Sequence, residues 1–176
     1  ETEDTTVTAT TKHDGKVLLQ TATAYVYGQH KEQRVEVNIL FDNGSQKSYI
    51  TDHLKKRLFL AAEGTENLNL NTFGSAISQK VKCERVKLNV ALENDVNVEI
   101  SALTHPVICS PLGSHVDLDS YPHLRGLKLA DRSAACKKRI DVLIGADCYF
   151  TLVLGEVLKG CSGPVAISSK LGWLLT

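Results

Sequence analysis

Val35-Glu36-Val37-Asn38-Ile39-Leu40-Phe41-Asp42-Asn43-Gly44-Ser45 is the run on which the fold of this chain turns. Val35, Val37, Ile39 and Phe41 fall on one parity and Glu36 and Asn38 on the other, the period-two pattern of a half-buried strand. The strand runs straight into Asp42. A carboxyl group is therefore expected at the edge of the interior, where desolvation and neighbouring charges can move its pKa. Asn43-Gly44 opens a second reading, because Asn-Gly between two strands is a strong hairpin signal. The residues that follow do not read as a returning strand. Ile50, Leu54 and Leu58 recur every fourth residue, with Thr51 and Asp52 in front and Lys55, Lys56 and Arg57 behind, a short helix with charges matched to its dipole. A strand, an acidic glycine turn and a helix make a poor hairpin and a better site loop.

The run Leu40-Phe41-Asp42-Asn43-Gly44-Ser45 resembles the catalytic loop of aspartic proteases: two apolar residues, then Asp-x-Gly-Ser, with Thr or Ser usual at the middle position. Far downstream, residues 140–147 (Ile-Asp-Val-Leu-Ile-Gly-Ala-Asp) resemble the apolar-apolar-Gly strand and short helix that pack behind this loop in retropepsin-type enzymes. The likeness extends to the protease segment of BEL/Pao-type LTR retrotransposon polyproteins. Its motifs stand here in the same order at residues 44–46, 48–50, 129–131, 144–147 and 171–173, so that it spans most of residues 17–176. The resemblance implies an all-β, retropepsin-like closed barrel with one or two short helices and one half-site per chain. It makes Asp42 the catalytic residue, gives Asn43, Gly44 and Ser45 the support of the loop, and puts Ile144 and Gly145 in a strand behind it. Gly44 would aim its N–H at the carboxylates, and the Ser45 hydroxyl would bond the outer carboxylate oxygen. Asp147, in the order Gly-Ala-Asp, belongs to the supporting helix. Asn43 departs from the family pattern, since its amide is longer and planar where a Thr or Ser would reach across to a partner loop.

The remaining segments read mostly as strands. Residues 1–15 are Thr-rich with scarcely any apolar side chain, the composition of a tail or linker, so the domain is expected to occupy 16–176. Residues 17–27, rich in Val, Thr and Tyr, read as a strand that forms a first hairpin with the one before Asp42. Residues 66–72 and 77–92 alternate as two further strands, with Thr72, Phe73 and Gly74 between them. That tip is either an ordinary hairpin end or, as the resemblance implies, a flap over substrate. Val96, Val98 and Ile100 continue as another strand. From 104 to 139 the periodicity fades among Pro106, Pro111, Gly113, Pro122 and Gly126, a long loop that in a compact domain tends to be functional or flexible. Residues 142–144 read as a strand buried on both sides, and Gly145 permits close approach of another backbone. Residues 152–157 and 164–175 supply late strands. In retropepsins terminal strands interleave in the dimer, which assigns this end to assembly.

Composition narrows the function classes. The chain has 176 residues, 43% of them hydrophobic, with twenty basic and twenty acidic side chains, so the formal net charge is zero. No general attraction to nucleic acid or to an anionic membrane is implied, and no apolar run approaches the length of a membrane span. The N-terminus is polar and acidic, and no targeting or anchoring segment is expected. Five widely spaced cysteines point to a reducing compartment. Cys109, His115, His123 and Cys136 are a weaker zinc alternative, since they lack a tight ligand spacing. No G-x-S-x-G elbow, P-loop, G-x-G-x-x-G or H-E-x-x-H occurs, so serine-hydrolase, nucleotide and zinc-protease motifs are missing.

Peptide hydrolysis without a metal can be run by two carboxylates that share one proton, and the aspartic-protease likeness calls for both. This chain has one Asp-x-Gly-Ser. The expectation is therefore a homodimeric aspartic endopeptidase acting on extended segments of a retrotransposon polyprotein, in the cytoplasm or within virus-like particles, with no metal, nucleic acid or membrane as direct partner. The alternative, favoured by Asn43, is an inactive or domesticated module that binds peptides or dimerises.

Overall fold

The computed structural model of the chain describes residues 18–70, 79–113, 118–132 and 137–176. β1 (Thr21–Tyr27) and β2 (Val35–Phe41) form the expected antiparallel hairpin, with Val26 opposite Val35 and Thr21 opposite Leu40. Past the Asp42 turn, β3 (Tyr49–Thr51) leads directly into α1 (Asp52–Arg57). Thr51 caps this helix by accepting from the Leu54 N–H at 3.2 Å, Asp52 sits in its first turn, and Lys55, Lys56 and Arg57 close the last. Leu54 and Leu58 enter the core. The Asn43-Gly44 turn is thus no hairpin tip. β2 and β3 are separated by β7 (Val142–Ile144), which runs parallel to β2 and antiparallel to β3.

β4 (Gly64–Leu70), β5 (Gln79–Ala91) and β6 (Asn97–His105) form an antiparallel meander. β5 changes partner along its length, from β4 over 79–85 to β6 over 85–91. Its buried parity changes too, from Cys83 to Val86, Leu88 and Val90, as the strand passes from the hairpin into the core. Closure comes from β1, which meets β5 at only two positions, Val26–Val90 and Tyr27–Asn89. The order β1-β2-β7-β3-β6-β5 then returns to β1, so six strands close and β4 projects from the ring. Val37, Ile39, Ile50, Val86, Leu88, Ile100, Val142 and Ile144 fill the interior. Full burial of such a side chain contributes roughly 1.5–3 kcal/mol. The expected all-β closed barrel with short helices is the architecture found.

β1 is covered on both faces over Thr21–Ala24. Ala22, Ala24 and Val26 point to the core, while Thr21 and Thr23 lie under the segment around Ala130, whose carbonyl accepts from the Thr23 N–H at 2.9 Å. The Thr21 hydroxyl donates to Asp131, and the buried Lys138 ammonium pairs with the same carboxylate. Burial of that lysine is tolerable because it is paired. The expected long loop is irregular over its described parts, with 3-10 turns at Leu118–Ser120 and Pro122–Leu124 and a backbone tie between Leu112 and Lys138.

After β7, α2 (Ala146–Leu152) hands the chain to a second sheet of β8 (Val153–Leu158), β9 (Ala166–Ser169) and β10 (Gly172–Leu175), in the order β10-β9-β8. Near the chain end, the Trp173 N–H donates to the Lys128 carbonyl and its carbonyl accepts from Ala130, each at 2.9 Å. Among the described residues no helix is long and apolar enough to cross a membrane. The expected tail, residues 1–15, lies outside the described residues.

Candidate active site

β2 carries Phe41 into the core and releases Asp42 to the surface, with the backbone held on both sides of that step. The Phe41 N–H donates to the Gln20 carbonyl at 2.8 Å and the Asp42 N–H to the Ile144 carbonyl at 3.0 Å. The chain then turns on itself. The Gly44 N–H donates to Asp42 Oδ1 at 3.0 Å and the Ser45 N–H to the Asp42 carbonyl at 3.1 Å. A Cβ at position 44 would stand 3.2 Å from that carboxylate oxygen. Asp42, Asn43 and Gly44 are exposed in the single chain, and Ser45 is partly buried.

One contact differs from expectation. The Ser45 hydroxyl donates to the Lys47 carbonyl at 2.9 Å and not to the Asp42 carboxylate. The reason is local: after Gly44 the chain curls so that a carbonyl two residues on offers the nearer acceptor, a common habit of serine in turns. Ser45 still supports the loop, from the side away from Asp42.

The far end of the loop is clamped by β7 and α2. Gly145 stands where a Cβ would lie 2.3 Å from the Lys47 carbonyl oxygen and 2.9 Å from that of Ser45, distances no side chain tolerates. The Ala146 N–H donates to the Ser45 carbonyl at 2.8 Å. Ser48, fully buried, receives the Gly145 N–H on its Oγ at 3.0 Å and donates that hydroxyl to Asp147 Oδ1 at 2.7 Å, while its own N–H reaches Asp147 Oδ2 at 3.1 Å. Asp147 is thereby committed to holding the loop. Sequence reasoning placed Ser48 in the 48–50 motif but gave it no role, because its partner lies 99 positions away.

Beside the loop opens a pocket of about 260 Å³ lined by Ser45, Tyr49, His105, Ile108 and Leu143. Burial pushes the Tyr49 hydroxyl above its usual pKa, with the charges of Cys83, Asp147 and Glu66 adding to the effect. A larger cleft of about 600 Å³, lined in part by Tyr27, Gly28, Phe59 and Asn89, lies at the opposite end of β1 and β2, and none of the sequence-predicted site residues borders it. The flap candidates Thr72, Phe73 and Gly74 lie outside the described residues, as do His115 and Cys136 of the zinc alternative. His123 of that set meets the Pro164 carbonyl through Nε2 at 2.8 Å.

What the arrangement offers chemically is one exposed carboxylate, oriented by a backbone N–H and set in a loop fixed at both ends. A family model described as "Putative peptidase (DUF1758)" matches residues 25–176. Among solved structures, the chain is similar to the retroviral protease-like domain of Ddi1 from Leishmania major, at 11% identity and a TM-score of 0.37, over 88% of this chain and 98% of that one. No curated protein matches the sequence.

Proposed function

We propose, on the premise that the chain belongs to the family described as "Putative peptidase (DUF1758)", that it is an aspartic endopeptidase of the retropepsin type, active as a homodimer. The observation that carries the reading is the Asp42 loop itself: a solvent-facing carboxylate at the end of a buried strand, oriented by the Gly44 N–H at 3.0 Å. One such group cannot both activate water and polarise a carbonyl, and Asp147 is engaged by Ser48. Two copies related by a two-fold axis supply the pair. Like charges at close range do not both ionise, so the pair holds one proton between them. The ionised Asp42 takes a proton from water as the water attacks the peptide carbonyl. The protonated one donates to the carbonyl oxygen, and a proton then passes to the departing amine.

The substrate of this reading is an extended peptide bound as an added strand, with a side chain in the pocket of Tyr49, Ile108 and Leu143. The order of motifs shared with BEL/Pao-type polyproteins supports a retroelement polyprotein as the natural substrate, and with it a cytoplasmic or particle-enclosed setting. No cofactor enters the scheme. Cleavage of a peptide library by the wild-type chain and by Asp42→Asn, followed across pH with sedimentation in parallel, tests it. A bell-shaped pH response from a dimer, abolished in Asp42→Asn, is the expected result; undiminished cleavage by Asp42→Asn would sink it.

Asn43 favours a second reading, a module that pairs or holds peptides without cutting them. Replacing Asn43 by Thr discriminates: under the proteolytic reading both forms cut, with an altered dimer contact, whereas two inert forms support the binding module.

A further inference from the structure

The β1–β2 hairpin, the segment 128–132 and the turn between β9 and β10 meet around a pocket of about 160 Å³ that no residue of the Asp42 loop borders. Arg34, Lys128, Arg132 and Lys170 line it, with Glu93 as the one acid among the lining residues. Positive charge thus collects here in a chain whose formal net charge is zero. Both guanidinium groups are tied to β1. Arg34 lies over the Tyr25 ring, 4.9 Å from its centroid. Arg132 donates from its guanidinium to the Thr23 carbonyl at 3.4 Å, and its backbone N–H reaches the Thr23 hydroxyl at 3.3 Å. Thr23 and Tyr25 are two residues apart on one strand, so the two anchor points stand about 7 Å from each other. The neighbouring acids offset little of the charge: Glu93 pairs with Lys128 and Glu36 stands 4.0 Å from Arg132, both at the surface. Among the described residues no acid forms an ion pair with Arg34 or Lys170.

We infer that this pocket is a binding site for a phosphate group, either free or carried by a small organic molecule. A tetrahedral oxyanion uses what the walls offer: two planar forks for paired hydrogen bonds and two ammonium groups as point charges. Guanidinium groups already anchored lose little freedom when the anion arrives. A concave wall also raises the local potential above that of the same cations on an open face. Leu92 and Leu171 line the same pocket and give apolar support to the organic part of an ester. One compact anion suits this site better than a long polyanion. The cations gather at a single concavity and not along a stripe, and Glu36 and Glu93 flank them, where a nucleic-acid backbone would meet like charge. The bound anion would join the 128–132 segment to the hairpin and to the β9–β10 turn, so its binding stabilises the fold.

Calorimetric titration and thermal unfolding of the whole chain with inorganic phosphate and with phenyl phosphate, against sodium chloride of equal ionic strength, test the site. Saturable one-site binding is expected, with an unfolding midpoint that rises with phosphate and not with chloride. Arg34→Gln and Arg132→Gln each weaken binding about tenfold or more. Lys159→Gln, an equal change of charge at an exposed lysine outside the pocket, leaves it unchanged. Arg34→Lys and Arg132→Lys keep the charge and lose the fork, so they bind more weakly than the wild type while still unfolding cooperatively in chloride, which separates lost recognition from a lost fold. Tighter binding of phenyl phosphate than of inorganic phosphate assigns the apolar wall to an ester, equal binding assigns the pocket to free phosphate, and both uphold the site. A titration that does not saturate, or binding that Arg34→Gln and Arg132→Gln leave intact, overturns it. So does a single-stranded oligonucleotide that binds through these arginines when neither phosphate does.

Discussion

The ends of β2 and β7 lie side by side, paired in parallel at Phe41 and Ile144, and each is followed by one aspartate and one glycine in opposite order. After β2 the acid comes first: Asp42 turns to solvent, and Gly44, two residues on, lends it a backbone N–H. After β7 the glycine comes first. Gly145 lets the neighbouring loop pass where no Cβ fits, and Asp147 folds back onto both the N–H and the hydroxyl of Ser48. One carboxylate is presented and the other is structural. The backbone N–H at position 44 serves Asp42, whereas Gly145 admits a foreign backbone that Asp147 then secures.

Exchanging the two acids for amides breaks the comparison most sharply. Asp42→Asn is expected to lower peptide cleavage roughly a thousandfold or more, and to leave thermal stability unmoved because the group is exposed. Gly145→Ala comes next. Its Cβ meets carbonyl oxygens of the main chain, which cannot swing aside as a side-chain tip can, so a loss of about 3 kcal/mol in urea unfolding is expected, at the upper end for overpacking. Gly44→Ala is the contrast, since its Cβ would meet only Asp42 Oδ1 at 3.2 Å and should cost less than about 1 kcal/mol. Equal losses at the two glycines would remove the asymmetry. Ser48→Ala follows, leaving the Gly145 N–H without its acceptor and Asp147 without a hydroxyl, for about 1–3 kcal/mol.

Half of this asymmetry was legible in the sequence. The alternation of Val35, Val37, Ile39 and Phe41 gave the strand before Asp42, and the spacing of Ile50, Leu54 and Leu58 with its flanking charges gave the helix, because both signals are local periodicities. Gly145 was readable as a close approach because glycine after a buried strand has few other uses. The clamp was not readable. Ser48 and Asp147 are 99 residues apart, and no period links a hydroxyl to a carboxylate across a fold. Closure of the barrel was equally hidden, since it depends on two residue pairs between β1 and β5 that leave no mark on either strand's pattern. The Ser45 hydroxyl went to Lys47, a local serine-to-backbone contact that the residue pattern around Asp42 does not reveal.

The smallest effect lies next to the structural acid, at Cys148. Burial first, and the Asp147 charge after it, raise this thiol above its usual value near 9.0. A group whose pKa is raised on folding binds its proton more tightly in the folded chain. Its contribution to stability is therefore complete below the unfolded value and is lost as pH rises through the folded one. Removing the charge with Asp147→Asn takes away one of the raising influences, so the pH midpoint for alkylation of Cys148 moves down while that of the buried Cys83, whose raising charges are Asp52 and Glu66, stays in place. Asp42→Asn should move neither, because Asp42 is not among the charges acting on either thiol. A Cys148 midpoint that followed Asp42 and ignored Asp147 would mean that the two acids do not divide their work as their glycines imply.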